Sequence, residues 1–243
     1  MSKIKGLIFD LDGVLVNTKK IHFDALNLAL KKKNIKQISY KDHLNIYDGL
    51  PTSKKLEILN KKKILKKTLI KSIKKIKQEN TLKLLNSHIQ YNPKIYNTFL
   101  RLSKSYKISL ATNAIKKTLE LCLKKLKIKK FISFYYSNED VINNKPHPEV
   151  YLKCLVNMGL KPSETLIFED SHHGVMAAQD SGCLLYTVKN ISDINYSNII
   201  NIIKNLNKDE MKKNKKNFWS DPNLNILIPM AGAGSRFQKA GYI

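Results

Sequence analysis

The chain has 243 residues, enough to bury a large hydrophobic core in one or two domains. Its 44 basic and 19 acidic residues give a formal net charge of +25, a balance that ordinarily suggests a nucleic-acid or anionic-membrane partner. Only Arg101 and Arg236 are arginines, so almost all of the positive charge comes from lysine. This indicates a compositional bias towards lysine rather than a surface that binds nucleic-acid phosphates. We therefore expect no nucleic-acid and no membrane partner.

The cysteines and the apolar runs indicate the compartment. Cys122, Cys154 and Cys183 are far apart in the sequence and form neither a CxxC pair nor a disulfide framework. No run of about 18 apolar residues and no N-terminal apolar leader is present. A reducing, cytoplasmic location is the expectation.

The first predicted element is the apolar run over residues 7–15, LIFDLDGVL. It is typical of a buried parallel strand that delivers Asp10 and Asp12 at its C-terminal end. Residues two apart in a strand project to the same side, so the two carboxylates would share one small volume while Leu11 packs in the core. Their repulsion calls for a cation between them or a proton on one of them. Taken alone, the Asp-x-Asp-Gly pattern is as typical of a turn.

A long helical stretch follows the first strand. The spacing of apolar residues predicts helices at 16–33, at 52–59 with Thr52 or Ser53 as N-cap, and at 64–76. No strand pattern interrupts residues 17–88. We therefore predict an all-helical insert there, whose lysines are mostly a solvated face, with one or two turned towards an anionic substrate.

From residue 93 onward, strand and helix patterns alternate. Pro93 is expected to begin a helix that ends near residue 104, and strands are predicted at 107–113, 131–136, 165–168 and 183–188. Helices are predicted at 116–126, at 148–158 with Gly159 as its stop, at 174–181, and up to about residue 206. The pattern predicts an α/β fold, a Rossmann-like parallel sheet with helices on both faces that binds ligands at the carboxyl ends of its strands.

Four stretches resemble, in order, the motifs of the haloacid dehalogenase superfamily of phosphatases and phosphomutases. They are Asp10-Leu-Asp12-Gly13-Val14, ISLATN at residues 108–113, KPHPEV at residues 145–150, and LIFEDS at residues 166–171 followed by His-His-Gly174. The resemblance implies a core over residues 1–16 and 89–206. The insert at 17–88 resembles the small helical cap of the phosphoglycolate phosphatase and β-phosphoglucomutase-like branch.

The same resemblance implies the reacting carboxylates and the metal ligands. Asp10 would be the nucleophile that forms an aspartyl phosphate, and Asp12 would protonate the leaving oxygen and then deprotonate water. Glu169 and Asp170 would hold Mg²⁺ next to Asp10, together with the backbone carbonyl of Asp12.

The resemblance also implies how the phosphoryl group is held. Thr112 and Lys145 would bind its equatorial oxygens, with help from Asn113. Without their place in the motif order, a strand-end threonine and one lysine among many would indicate nothing. His22 matches a histidine that β-phosphoglucomutase-like members place on the first cap helix, but many phosphatases share it.

The C-terminal region differs in composition. Residues 207–222 are rich in Lys, Asn and Asp and are predicted to be a linker. Residues 224–237, LNILIPMAGAGSRF, resemble the opening strand and glycine-rich loop of sugar-phosphate nucleotidyltransferases, which implies Gly232, Gly234 and Arg236 as a nucleotide-binding remnant. Residues 223–243 are too few to fold alone, so we expect the start of a truncated nucleotidyltransferase-like domain whose remainder is missing.

Together the resemblances imply a Mg²⁺-dependent phosphatase of a small phosphorylated metabolite, and the tail favours a sugar phosphate. Two alternatives stay open, a β-phosphoglucomutase-like phosphosugar mutase and a non-catalytic binding module. The mutases carry an arginine in the loop where this chain has Asp48-Gly-Leu-Pro-Thr52-Ser-Lys54, and the corresponding residue here is Thr52 or Lys54. The missing arginine favours hydrolysis, and a competent residue at every motif position argues against a non-catalytic module.

Overall fold

The computed structural model describes the chain over residues 4–216 and its side chains through residue 208. Within this part, five parallel strands form one sheet in the order β3-β2-β1-β4-β5. They are β1 (Gly6–Phe9), β2 (Lys107–Ala111), β3 (Phe134–Tyr136), β4 (Thr165–Glu169) and β5 (Leu184–Thr187). All four residues of β1 are buried, as expected for a central strand that is covered on both faces.

Helices connect the strands and form the insert. They are α1 (Lys19–Lys31), α2 (Tyr40–Asp42), α3 (Thr52–Lys61), α4 (Ile70–His88), α5 (Pro93–Leu102), α6 (Lys116–Leu126), α7 (Glu149–Met158), α8 (His172–Asp180) and α9 (Tyr196–Lys216). A π-helical turn, His43–Tyr47, follows α2, and short 3-10 turns lie at Lys67–Leu69, Lys129–Phe131, Pro162–Glu164 and Ile191–Asp193. No helix in the described part of the chain is both long and apolar enough to span a membrane.

The sheet separates two hydrophobic clusters. Successive strand residues point to opposite faces, so Leu7 and Phe9 of β1 pack in one cluster and Ile8 in the other. Helices α5, α6 and α9 supply apolar residues to the first cluster, and α7 and α8 supply the second. The predicted Rossmann-like α/β fold, with helices on both faces of a parallel sheet, is therefore confirmed.

The insert has a hydrophobic core of its own. Leu26 and Leu30 of α1, Leu56 and Leu59 of α3, and Ile73 of α4 are fully buried in a third cluster. No strand lies between residues 17 and 88 in the described structure, so the predicted all-helical cap is confirmed. Helix α4 packs along α1 and also contacts α6 of the core.

Several predicted boundaries are wrong for identifiable reasons. Neither Thr52 nor Ser53 is an N-cap, because α3 already includes Thr52 and its N-cap is Pro51, which forms no side-chain cap bond. The helix predicted at 64–76 is α4, which begins at Ile70 and continues to His88 because no glycine or proline interrupts it. Helix α9 likewise continues to Lys216 through more than half of the predicted linker, although the compact unit that contains the sheet ends at Asn207. The predicted nucleotide-binding remnant, Gly232, Gly234 and Arg236, lies outside the described residues.

Candidate active site

Three carboxylates meet at the carboxyl edge of the sheet. Asp10 directly follows β1, Glu169 is the last residue of the neighbouring strand β4, and Asp170 comes next. One oxygen of each lies within 4.8 Å of the others. The structure therefore brings together three of the predicted metal ligands. The carboxylate of Asp12 is not in this group, and the contribution of its backbone carbonyl stays a prediction.

Lys145 lies between two of these carboxylates. Its Nζ donates to Asp10 Oδ1 and to Glu169 Oε1, both at 2.6 Å, and to the Ala111 carbonyl oxygen at 2.9 Å. The Lys145 side chain is 2% exposed, so this ion-pair cluster is shielded from water. Tyr151 Oη also donates to Glu169 Oε1 at 2.9 Å. Glu169 is thereby held in one orientation.

The charges in the cluster shift one another's protonation. Burial raises the pKa of the Asp10 carboxyl well above its usual range, the Lys145 ammonium opposes this rise, and Glu169 adds to it. Burial alone would lower the pKa of Lys145, but the adjacent carboxylates of Asp10 and Glu169 outweigh it and raise the pKa. Lys145 is thus a permanent positive charge in the site.

Asp12 faces the cap instead. Its Oδ1 accepts a hydrogen bond from Thr18 Oγ1 and lies 3.3 Å from His22 Nε2. The other ring nitrogen of His22, Nδ1, is 3.3 Å from Nζ of Lys77, which is a donor. Nδ1 is then the acceptor, and Nε2 carries the proton that it donates to Asp12. A chain of contacts therefore runs from α4 of the cap through α1 to Asp12.

These contacts determine the pKa of Asp12. Burial alone would raise it, but the electrostatic attraction and hydrogen bond of His22, the hydrogen bond from Thr18 and the charge of Lys77 outweigh burial and lower the pKa to about 2. The predicted roles need the reverse order, with Asp10 ionised and Asp12 able to carry a proton. A divalent cation beside Asp10 would lower the pKa of Asp10, and an anionic phosphate near Asp12 would raise that of Asp12.

The predicted phosphoryl-binding residues lie around the same point. Thr112 is buried in the wall of the cavity, and its Oγ1 accepts a hydrogen bond from the Ala114 amide at 3.0 Å. The Asn113 side-chain amide donates to the carbonyl oxygens of Gly49 at 3.1 Å and Lys145 at 3.2 Å. The Asn113 side chain therefore braces the cap loop and the Lys145 loop, which the sequence interpretation did not foresee.

Two glycines allow the acidic residues to pack closely. Gly13 has a φ of +88°, and a Cβ there would lie 2.1 Å from Asp170 Oδ2. A Cβ on Gly174, at the start of α8, would lie 1.8 Å from Glu169 Oε1. Any side chain at either position would displace a carboxylate of the cluster.

The carboxylate cluster fits a hard divalent cation. Asp170 Oδ1 is buried and accepts no hydrogen bond from the described residues, so it is available as a ligand. Burial, opposed by Lys19, raises the pKa of Asp170 to about 6. Lys19 Nζ lies 2.9 Å from Asp170 Oδ2 and 3.3 Å from Asp48 Oδ2 of the cap loop. Carboxylate oxygens are the ligands that Mg²⁺ prefers.

A cavity of about 210 Å³ lies between these core residues and the cap. From the cap it is lined by Asp48 and Thr52 and by four lysines, Lys19, Lys55, Lys74 and Lys77. Lys54, one of the two residues considered for the arginine position, instead points away and pairs with Glu57 at 3.2 Å. The lysine of α3 that faces the cavity is therefore Lys55.

Sequence reasoning missed Lys55, Lys77 and Thr18. One signal was available for Lys77: Ile73, Lys77, Thr81 and Leu85 follow one another at four-residue spacing, which places them on one face of a helix, and the structure buries all four. Lys55 likewise belongs to the buried face of α3 together with Leu56 and Leu59. In both helices the lysine lies on the helix face that carries leucine or isoleucine, and this position was the feature to examine.

Comparison with known proteins is consistent with this site. A family model described as haloacid dehalogenase-like hydrolase matches residues 7–188. A phosphorylated carbohydrates phosphatase of Thermotoga maritima is 30% identical over 181 residues, which span 74% of this chain and 82% of that protein. Pyrophosphatase PpaX of Bacillus cereus is 29% identical over 192 residues, 74% of this chain and 81% of that protein. The crystal structure of a β-phosphoglucomutase from Clostridium difficile is similar in fold, with a TM-score of 0.72 and 23% identity over 86% of this chain and 99% of that one.

Proposed function

Because the chain belongs to the haloacid dehalogenase-like hydrolase family, we propose that it is a Mg²⁺-dependent phosphatase that hydrolyses a small sugar phosphate through an aspartyl phosphate. The observation that carries this proposal is the buried cluster at the cavity floor. There Lys145 lies 2.6 Å from Asp10, and Asp170 has an oxygen without a hydrogen-bond donor among the described residues. The Thermotoga maritima relative, a phosphorylated carbohydrates phosphatase, supports phosphorylated carbohydrates as substrates.

Asp10 would perform the first chemical step. One of its carboxylate oxygens attacks phosphorus in line, the ester P–O bond breaks, and Asp12 gives its proton to the departing alcohol oxygen. A water molecule then attacks the aspartyl phosphate, Asp12 takes up the water proton, and inorganic phosphate leaves while Asp10 is regenerated. Asp12 needs its proton as the phosphate arrives, and the approaching negative charge favours that proton.

The surrounding residues would hold the phosphoryl group during both steps. Lys145 and Thr112 line the cavity and can donate to its oxygens as charge develops. Glu169, Asp170, Asp10 and the carbonyl of Asp12 would hold Mg²⁺, which when bound supplies positive charge against the phosphoryl oxygens.

Phosphate release from the full chain tests the proposal. Purified protein is assayed with Mg²⁺ on a panel of phosphorylated sugars and acids, with and without EDTA. We expect release that EDTA stops and that Asp10→Asn abolishes. Asp24→Asn, which removes a surface partner of Lys20, is the matched control and should turn over normally. Near wild-type release by Asp10→Asn would refute the nucleophile assignment, and no release from any substrate would favour a non-catalytic module.

The mutase alternative differs only in its product. A mutase would hold the aspartyl phosphate long enough to return it to the other end of the sugar. Phosphorus NMR on glucose 1-phosphate separates the two reactions. We expect inorganic phosphate, without a need for a bisphosphate activator. Accumulation of the 6-phosphate isomer would instead identify a mutase.

A further inference from the structure

Four exposed apolar side chains lie on or beside α7 and α8, the two helices that cover one side of the sheet. The two most exposed large apolar residues in the described part of the chain are Ile142 at 89% and Val156 at 79%. Leu152, one turn before Val156 on α7, and Met176 on α8 are also exposed. We call these four residues the α7 face. Apolar area of this kind marks a surface that another surface can cover.

The members of the α7 face are close in the fold. Helices α7 and α8 are in contact, and Leu152 and Val156 are four residues apart, so they lie on one side of α7. The Ile142 amide donates to Glu149 Oε1 at 2.7 Å, which holds Ile142 beside the first turn of α7. None of the four residues lines the cavity of the candidate active site. The α7 face is therefore a separate surface.

Helices α7 and α8 carry little positive charge in a chain with a net charge of +25. Together they have 19 residues and contain one lysine, Lys153, beside two acidic residues, Glu149 and Asp180. Helix α4, also of 19 residues, contains five lysines. The Lys153 ammonium donates to the Asp140 carbonyl oxygen at 2.6 Å, which ties it to the neighbouring loop. Two copies of this chain that approached through lysine-rich surfaces would repel each other, whereas the α7 face permits close approach.

The charges at the two ends of α7 are complementary to each other. Glu149 is the first residue of the helix, and the exposed Lys161 lies just beyond its last turn. Two backbone amides of the preceding loop donate to the Glu149 carboxylate and hold its pKa below its usual range, so Glu149 is anionic at neutral pH. If two α7 helices lie antiparallel, the Glu149 end of each meets the Lys161 end of the other.

The apolar residues are compatible with the same antiparallel arrangement. A twofold axis near the middle of α7 places Leu152 of one copy opposite Val156 of the other, and the reverse pair forms by symmetry. At the C-terminal end of the helix, a Cβ on Gly159 would have no atom within 4 Å among the described residues, so there is open space. The Ile142 side chain, at the opposite end of α7 in the other copy, can occupy that space.

We infer that the α7 face binds a second copy of this chain, with the two α7 helices antiparallel across a twofold axis. A lysine-poor apolar surface offers little charge to a different, acidic protein, but it matches itself at both ends and in the middle. The inference is independent of the proposed phosphatase activity, because the α7 face and the cavity share no residue.

The mass of the full chain in solution tests the inference. Analytical ultracentrifugation over a concentration series should show a monomer–dimer equilibrium with a Kd on the order of 10 μM, weak because one helix pair buries a small area. Higher salt should tighten the dimer, because it screens the repulsion between two copies of net charge +25. The mass of one chain at concentrations about tenfold above that Kd would overturn the inference.

Two matched variants assign the contact to the α7 face. Val156→Asp should raise Kd by about tenfold or more, because it places carboxylates in an apolar contact. Leu28→Asp is the control, since Leu28 is exposed on α1 of the cap, and it should leave Kd unchanged. Equal loss of dimer in both variants would overturn the inference. So would a monomeric wild type whose Tm falls with Val156→Asp, because the face would then be covered within one chain. If Val156→Asp fails to fold by circular dichroism, Val156→Ser takes its place.

Disulfide cross-linking tests the antiparallel arrangement. Single variants Leu152→Cys and Val156→Cys are made in a Cys183→Ser background, because the remaining cysteines, Cys122 and Cys154, are buried. A mixture of the two proteins should form a mixed disulfide dimer, identified by mass spectrometry, faster than either protein alone forms its own. Faster cross-linking of each variant with itself would place identical residues opposite each other and overturn the antiparallel contact.

Discussion

Replacement of Lys145 by methionine should destabilise the protein strongly and in a pH-dependent manner. Methionine keeps most of the buried aliphatic volume but removes the ammonium that lies 2.6 Å from both Asp10 and Glu169. Loss of one partner from a buried ion pair costs about 3–5 kcal/mol, because the remaining charge stays buried without compensation. For a domain of this size we expect Tm to fall by on the order of 10 °C.

The sign of the pH dependence follows from the carboxylates left behind. Burial already raises the pKa of Asp10 in the presence of Lys145, and removal of the ammonium raises it further. Between the unfolded pKa of about 3.9 and the raised folded pKa, the native state binds more protons than the unfolded state, so the free energy of unfolding falls as pH rises. The loss in free energy of unfolding caused by Lys145→Met should therefore be smaller at pH 5 than at pH 8.

Urea denaturation at the two pH values measures both effects. Lys5→Met is the control, since its pair with Glu164 is at the surface, where the Lys5 side chain is 57% exposed, and we expect it to cost less than about 1 kcal/mol at either pH. Two results would refute the buried ion-pair cluster as described. One is that Lys145→Met loses no more free energy of unfolding than Lys5→Met, and the other is that its loss does not change with pH.

Three further changes test other parts of the site. Lys19→Met removes an ammonium 2.9 Å from the acidic cluster, so Mg²⁺ or Mn²⁺ should bind more tightly by calorimetry, and weaker binding would contradict the reasoning. Gly174→Ala places a Cβ 1.8 Å from a Glu169 oxygen, so the free energy of unfolding measured in urea should fall by about 1–3 kcal/mol and metal binding should weaken. A variant with neither effect would show that the backbone shifts easily to accommodate the methyl group. Truncation after Asn207 should leave phosphate release unchanged and move Tm by less than about 2 °C, because the described core clusters include no later residue, and a larger loss would show that the C-terminal region packs on this domain.

The fold was predictable where local signals and burial agree. The helix predicted at 116–126 is α6 residue for residue, and α7 ends where Gly159 takes a left-handed φ of +63° that most residues avoid. The prediction was weak where only composition was used. Residues 207–216 are mostly polar, and polarity alone does not distinguish a linker from a continuing helix such as α9.

The positions of the acidic residues of the site were predictable from the strand pattern. Parallel strands end at one edge of the sheet, so the residues after β1 and β4 had to lie close together once the strands were neighbours. The cap residues were not predictable in this way. Which lysine of α3 faces the cavity depends on how the helix is rotated against the core, and Lys54 and Lys55 differ by only one position.

Cap and core are joined by contacts that each include a residue of the candidate site. Asp12 is linked through His22 to Lys77 of α4, Asn113 donates to the carbonyl of Gly49 in the cap loop, and Lys19 bridges Asp48 of that loop to Asp170. Opening of the cap would therefore remove hydrogen bonds and charges from the groups that are proposed to react or to hold the cation. The pKa of Asp12 depends on His22 and Lys77, so its capacity to hold and release a proton depends on the position of the cap. In the proposed mechanism, proton transfer by Asp12 is therefore coupled to the position of the cap through His22 and Lys77.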